Sequence, residues 1–168
     1  MSSLTVLSLL CLSLAAGLCT PLTDQQMELK RGDCPMFWYS FNGRCYKYIS
    51  TKMTWARAEL HCVSQGANLV SIHSEEEQSF IRGLIKSHVP EDGNEQFTWI
   101  GLSDHHLEGE WMWSDGSKVD FTNWLAEQPD NAYGGEDCVH TRNNADEMKW
   151  NDLGCQHKRA FVCAYRLY

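Results

Sequence analysis

Between Glu127 and Cys138 the chain reads EQPDNAYGGEDC, with Gln128, Asp130, Asn131, Glu136 and Asp137 set around one proline and a Gly-Gly pair. Side-chain oxygens at that density suit a hard cation, because calcium takes six to eight oxygens from carboxylates, amides, carbonyls and water. A second set, Asn151 and Asp152, stands in KWNDLGC. Cysteines frame both sets: Glu136 lies two residues before Cys138, and Asp152 three before Cys155. Six cysteines allow fifteen pairings. One that joined Cys138 to Cys155 would bring the two sets within about 10 Å, since bonded cysteines hold their Cα atoms roughly 5–6 Å apart. Pro129 is a natural place for a cis peptide, which would turn the side chains on either side of it toward one point. Taken singly, these residues are turn formers. As a framed set they read as a cation cage. His105 and His106 lack a paired Cys or a third His at ligand spacing, so they read as solvated rather than as zinc ligands. The chain carries no nucleophile elbow, zinc-protease helix or phosphate loop, and is read as a binding protein, not an enzyme.

The elements that must position this cage follow from periodicity. TWARAELHCVSQG predicts a helix with Thr54 as N-cap and Gly66 as its stop, and with Trp55, Ala58 and Cys62 on one face toward the core. SEEEQSFIRGLIK predicts a second helix, with a Ser74–Glu77 capping box and Phe80, Ile81, Leu84 and Ile85 as its apolar stripe. FTWIGL and AFVCAY predict buried strands, CYKYIS and EWMWSDGS alternating ones. From Ser117 to Trp150 regular structure is expected to be sparse, a length of loop that needs a functional reason. The class is α+β, with two helices, short antiparallel strands and a long calcium-binding loop region.

The first nineteen residues are uncharged and Leu-rich and end in small residues, as a secretory leader does. Cleavage is expected after Gly17 or after Cys19. The first would leave Cys19 free to link two chains, and the second, preferred, removes it. A short tail over 20–33 then precedes one domain over 34–168. That tail contains Arg31-Gly32-Asp33, an integrin-type tripeptide. Three-residue matches arise easily by chance, and this one, abutting Cys34, reads as an ordinary turn. Six cysteines in a secreted domain predict three disulfides. The net charge of −8 argues against a nucleic-acid partner, and no further apolar run suggests a membrane span.

Four features together resemble a C-type lectin domain of the long form: WIGL at Trp99 to Leu102, QPD at Gln128 to Asp130, WND at Trp150 to Asp152, and the cysteine spacing from Cys34 to Cys163. The match extends to the small secreted fish lectins, the ladderlectin-like and nattectin-like group, and to the related type II antifreeze proteins. The resemblance implies the disulfides Cys34–Cys45, Cys62–Cys163 and Cys138–Cys155. It implies a main calcium site of Gln128, Asp130, Glu136, Asn151 and Asp152, which also receives two neighbouring sugar hydroxyls. It implies an auxiliary calcium site of Asp104, Glu108, Asn131 and Asp137, with Glu136. The order Gln-Pro-Asp resembles the family's galactose-type sites, where mannose-type sites resemble Glu-Pro-Asn. Strong galactose binders carry a Trp two residues after the Asp and a longer Gly-rich insert. Here Ala132 holds that position and Tyr133 is the replacement ring. The implied function is a secreted, calcium-dependent lectin of galactose type, recognising glycans in innate defence. It is expected to work as a homo-oligomer, because single sugar sites bind weakly. The alternatives are an ice-binding protein of the type II antifreeze kind on the same scaffold, or a domain of this fold without sugar binding.

Overall fold

The computed structural model describes residues 29–89, 96–143 and 147–167. The leader, Cys19 and all but the last residue of the loop expected at EDGNEQ lie outside them. Strands β1 (Tyr39–Phe41) and β2 (Arg44–Met53) form a hairpin across Asn42-Gly43, where both residues take positive φ. Helix α1 (Trp55–Val63) and the short β3 (Asn68–Leu69) follow, then helix α2 (Glu75–His88). Next come β4 (Gln96–Ser103) and the short β5 (Met112–Trp113). The chain closes with β6 (Cys138–Asn143), β7 (Met148–Leu153) and β8 (Arg159–Arg166). The strands make one sheet in the order β1-β2-β8-β4-β6-β7, with β3 on β8 and β5 on β4. β8 is antiparallel to β2 and parallel to β4.

α1 ends as the sequence predicts, with Gly66 at φ +73° and Ala67 N–H donating to the Cys62 carbonyl at 3.0 Å. Its buried residues are Ala58 and Cys62. Thr54 occupies the N-cap but makes no side-chain hydrogen bond. In α2 the capping box is only half made. Ser74 Oγ accepts from Glu77 N–H at 3.2 Å, whereas the Glu77 carboxylate turns inward. It accepts from Arg44 and from the Tyr46 hydroxyl, and from His73 N–H at 2.8 Å. The cause is Arg44, only 8% exposed: a buried guanidinium without an anion costs more than an uncapped backbone donor.

Two apolar clusters sit against the sheet. One contains Tyr46, Ile72, Phe80, Leu84, Trp113, Val139 and Trp150, and the other Trp38, Cys62, Leu69, Trp99, Cys138 and Phe161. The glycine of WIGL has a steric reason. A Cβ at Gly101 would lie 2.6 Å from the Leu69 carbonyl oxygen, so a larger residue would push β3 away. Cysteines pair as Cys34–Cys45, Cys62–Cys163 and Cys138–Cys155. Among the described residues no helix is long and apolar enough to cross a membrane.

One expectation needs correction. The sparse region expected up to Trp150 ends earlier, because β6 and β7 pair antiparallel from Cys138↔Leu153 to Asn143↔Met148. MKWNDL does alternate, with Met148, Trp150 and Asp152 buried. The strand escapes a hydrophobic pattern because one of its three buried positions is an aspartate, and that exception belongs to the site.

Candidate functional site

β7 is the rigid wall of the site. It carries Asn151 half-buried and Asp152 fully buried, opposite His140 and Val139 of β6. The Cys138–Cys155 disulfide, with Cα atoms 5.1 Å apart, closes the same hairpin at its end. The long loop is laid along this wall by backbone bonds. Trp150 N–H donates to the Asn123 carbonyl at 2.9 Å, and Leu125 N–H to the Trp150 carbonyl at 2.8 Å. Asn123 also clamps the strand with its side chain, donating to the Met148 carbonyl at 2.9 Å and accepting from Lys149 Nζ at 2.8 Å. No periodic signal marks Asn123 in the sequence.

Beyond Leu125 the loop turns back over Asp152. Gln128 N–H donates to the Leu125 carbonyl at 3.0 Å, and the Gln128–Pro129 peptide is cis. The backbone N–H groups of Asp130 and Asn131 donate to the two oxygens of Asp152, at 3.3 and 2.7 Å. Asn131 and Tyr133 take left-handed φ of 42° and 62°, the first capping and the second inside a short 3₁₀ turn, Ala132–Gly134. Such φ values are costly for residues with a Cβ and are kept where surrounding contacts impose them. Here those contacts are Glu136 N–H to Asn131 Oδ1 at 3.1 Å, and Ala132 N–H to Glu136 Oε2 at 3.2 Å and to Asp130 Oδ1 at 3.3 Å. The turn leaves Tyr133 fully exposed at its tip.

The product is a convergence of acids. Asp130, Glu136 and Asp152 bring carboxylate oxygens within 4.8 Å of one another. Burial first, then the charges of Asp152 and Asp130, raise the Glu136 carboxyl above the usual range. Gln128 Oε1 lies beside this group in sequence, buried and without a hydrogen-bond partner. Three mutually repelling carboxylates and an orphaned amide oxygen fit a hard divalent cation in chemistry. Asn151 donates its side-chain amide to the Asp152 carbonyl.

The second set adjoins the first through Asn131, whose Nδ2 donates to Glu108 Oε2 at 2.6 Å. Asp104 is buried at the end of β4; its Oδ2 accepts from Gly109 N–H at 2.8 Å and its Oδ1 has no partner. Its backbone N–H donates to the Asp137 carbonyl at 3.2 Å. Desolvation, followed by Asp104, Asp137 and Asp152, raises the Glu108 carboxyl. These groups share a field, but among the described residues only Asp130, Glu136 and Asp152 form a group as tight as 4.8 Å. His105 and His106 pack edge to face in solvent, His105 reaching Asp137 at 3.4 Å.

The sequence reading missed a further set that holds the start of the loop. Asp115 accepts from Ser71 Oγ, and His73 lies between Asp120, at 2.8 Å, and Ser117 Oγ, at 3.2 Å. The Asp115-Gly116 turn is the one local signal that marks the region.

Comparison with known proteins gives one consistent result. The family model described as Lectin C-type domain matches residues 51–165. Ladderlectin of Oncorhynchus mykiss is 36% identical over 173 residues, covering 92% of this chain and 89% of its own. The galactose-specific lectin nattectin of Thalassophryne nattereri is 41% identical over 134 residues, 80% of this chain and 81% of its own. The structure of herring type II antifreeze protein superposes with a TM-score of 0.71 at 36% identity, covering 80% of this chain and all of that one.

Proposed function

The chain belongs to the C-type lectin family, a family of binding proteins rather than enzymes, and from that premise we propose that it is a secreted, calcium-dependent lectin with a preference for galactose-type sugars. The observation that carries this reading is the convergence of Asp130, Glu136 and Asp152 within 4.8 Å. Gln128, Asp130, Glu136, Asn151 and Asp152 would hold the ion, which when bound offers open coordination positions to two neighbouring sugar hydroxyls. The protein's own part is to orient those hydroxyls. Asp130 and Glu136 accept hydrogen bonds from them, while the amide N–H groups of Gln128 and Asn151 donate. Placing the amide at 128 and the acid at 130 sets the donor and acceptor sides, and this order favours an axial 4-hydroxyl. The name of nattectin, galactose-specific, points the same way. Tyr133 offers a solvent-facing ring for the apolar face of the sugar. Asp104, Glu108, Asn131 and Asp137 form the auxiliary cation site. A single site grips one monosaccharide weakly, so recognition of microbial glycans in innate defence calls for a homo-oligomer.

Chromatography on immobilised galactose and mannose tests the reading. Retention on galactose in calcium and release by EDTA are expected; retention that survives EDTA overturns the calcium mechanism. The double substitution Gln128→Glu, Asp130→Asn should move preference toward mannose. The likeness to herring antifreeze protein supports a second reading, ice binding on the same scaffold. Thermal hysteresis in the purified protein, with no sugar retention, would select it. Absence of both activities would leave a lectin-like domain without sugar binding. A single-chain mass in sedimentation under non-reducing conditions would remove the oligomer.

A further inference from the structure

The tripeptide Arg31-Gly32-Asp33 reads in sequence as an ordinary turn, and the structure gives that turn a specific form. Cys34 N–H donates to the Arg31 carbonyl at 3.0 Å, closing a four-residue turn with Gly32 and Asp33 at its corners. Arg31, Gly32 and Asp33 are all exposed. Both ends of the turn are anchored. Cys34 is bonded to Cys45 of β2, and Ser40 N–H of β1 donates to the Lys30 carbonyl at 2.7 Å. Only glycine fits the middle position: φ is +50°, and a Cβ would lie 2.9 Å from Ser40 Cβ. Neither the Arg31 guanidinium nor the Asp33 carboxylate has a side-chain partner among the described residues. The adjacent turn, closed by Trp38 N–H to the Pro35 carbonyl at 3.0 Å, exposes Met36 and Phe37, with Phe37 held at φ +69°. An unpaired cation and an unpaired acid are therefore presented two residues apart on a pre-ordered backbone, beside two exposed apolar side chains.

We propose that Arg31-Gly32-Asp33 is a ligand for a metal-dependent adhesion receptor of the integrin class, which takes an aspartate carboxylate onto a divalent cation and a guanidinium onto acidic groups. Pre-ordering by the disulfide and the turn lowers the entropy lost on binding. The position leaves the cation cage free. The turn leads into β1 at one edge of the sheet and the cage rests on β7 at the other, five strand spacings away in the sheet order, or roughly 24 Å at about 4.8 Å each. One molecule can thus hold a glycan and a cell receptor together, although the adhesion site stands whether or not the sugar reading holds.

The test is surface plasmon resonance of the full secreted chain over a purified Arg-Gly-Asp-reading integrin ectodomain, in manganese with excess galactose and mannose to block binding through the receptor's own glycans. Expected is saturable binding, competed by a synthetic Arg-Gly-Asp-Ser peptide, and weakened about tenfold or more by Asp33→Glu, which keeps the charge but lengthens the arm. Asp33→Glu should keep the parent's melting temperature and its behaviour on the galactose column. Gly32→Ala, which cannot hold the turn, should weaken binding in the same way. No binding, or binding that the peptide and Asp33→Glu leave unchanged, overturns the proposal. The galactose column reads the lectin site separately.

Discussion

The sheet around β8 and the tip of the long loop, residues 126–137, are held by opposite means. Against and within the sheet, Tyr46, Ile72, Phe80, Trp99, Trp150 and Phe161 are buried, ladders run on both sides of β8, and a disulfide spans most of the domain. The start of the loop still packs Val119, Phe121 and Trp124 on the core, with Phe121 and Trp124 edge-on to Trp150, and adds polar contacts from Asp115 to Ser71, Asp120 to His73 and Asn123 to Met148. The tip over 126–137 rests on polar contacts instead, among them two backbone N–H groups on Asp152. Burial of apolar surface is indifferent to what the medium contains. A fold of carboxylates is not, because like charges at a few ångströms repel until a countercharge joins them. The sheet should therefore keep its shape in chelator, while the tip of the loop should depend on calcium. Four measurements probe that contrast.

The largest effect should come from the sheet. Replacing Cys62 and Cys163 by Ser opens a link of sequence separation 101 and should cost about 4 kcal/mol, lowering the midpoint of the whole unfolding transition. An unchanged midpoint would mean that the ladders alone close the domain.

His140 comes next. Burial, chiefly, lowers its pKa from 6.5 to about 4, so the folded state keeps it neutral where the unfolded chain takes a proton. Stability is full above pH 6.5 and is lost as pH falls toward 4, by up to about 3 kcal/mol. Denaturant titrations at several pH values should show this slope, and His140→Phe should flatten it. A slope that persists in the variant would assign the effect to other groups.

The third measurement is confined to the loop. Asp152→Asn should weaken calcium by about tenfold or more, since affinity follows the charge of the ligand set. In EDTA the same variant should melt only slightly lower than the parent, because relief of one repelling charge offsets part of the loss of one of the two backbone N–H bonds that Asp152 accepts. Calorimetry with and without calcium reads both, and a large loss of stability in EDTA would make Asp152 a structural acid rather than a ligand.

The smallest effect concerns Glu136. Its raised pKa means that the calcium-free fold gains stability from this group as pH falls and loses it as pH rises through that pKa. In calcium the sign should reverse, since protonation removes a ligand. Melting against pH in EDTA and in calcium would show the two trends, and parallel curves would separate Glu136 from the metal.

The helices were legible because both follow the 3.6-residue period with apolar stripes, and so were β4 and β8, which are short apolar runs. β6 and β7 were not, since the aspartate at a buried β7 position and His140 and Thr141 of β6 blur the period-two pattern. The half-made capping box has a similar cause. Ser74 and Glu77 have the right spacing, but nothing in a local window shows that Arg44, thirty-three residues earlier, needs the same carboxylate.

The sequence by itself determined the class, the six cysteines and the residue types of the candidate cation site, because spacing, periodicity and oxygen chemistry are local properties. Tertiary structure decided which of those oxygens meet. Asp130, Glu136 and Asp152 converge only because β7 pairs with β6 and the loop folds back onto β7, while Asp104, Glu108 and Asp137 are brought near without closing as tightly. Convergence is a long-range property, set by pairing partners that no short window contains. The turn at Arg31-Gly32-Asp33 makes the same point: its letters were visible at once, but its anchoring and exposure came only with Cys45 and Ser40 folded against it.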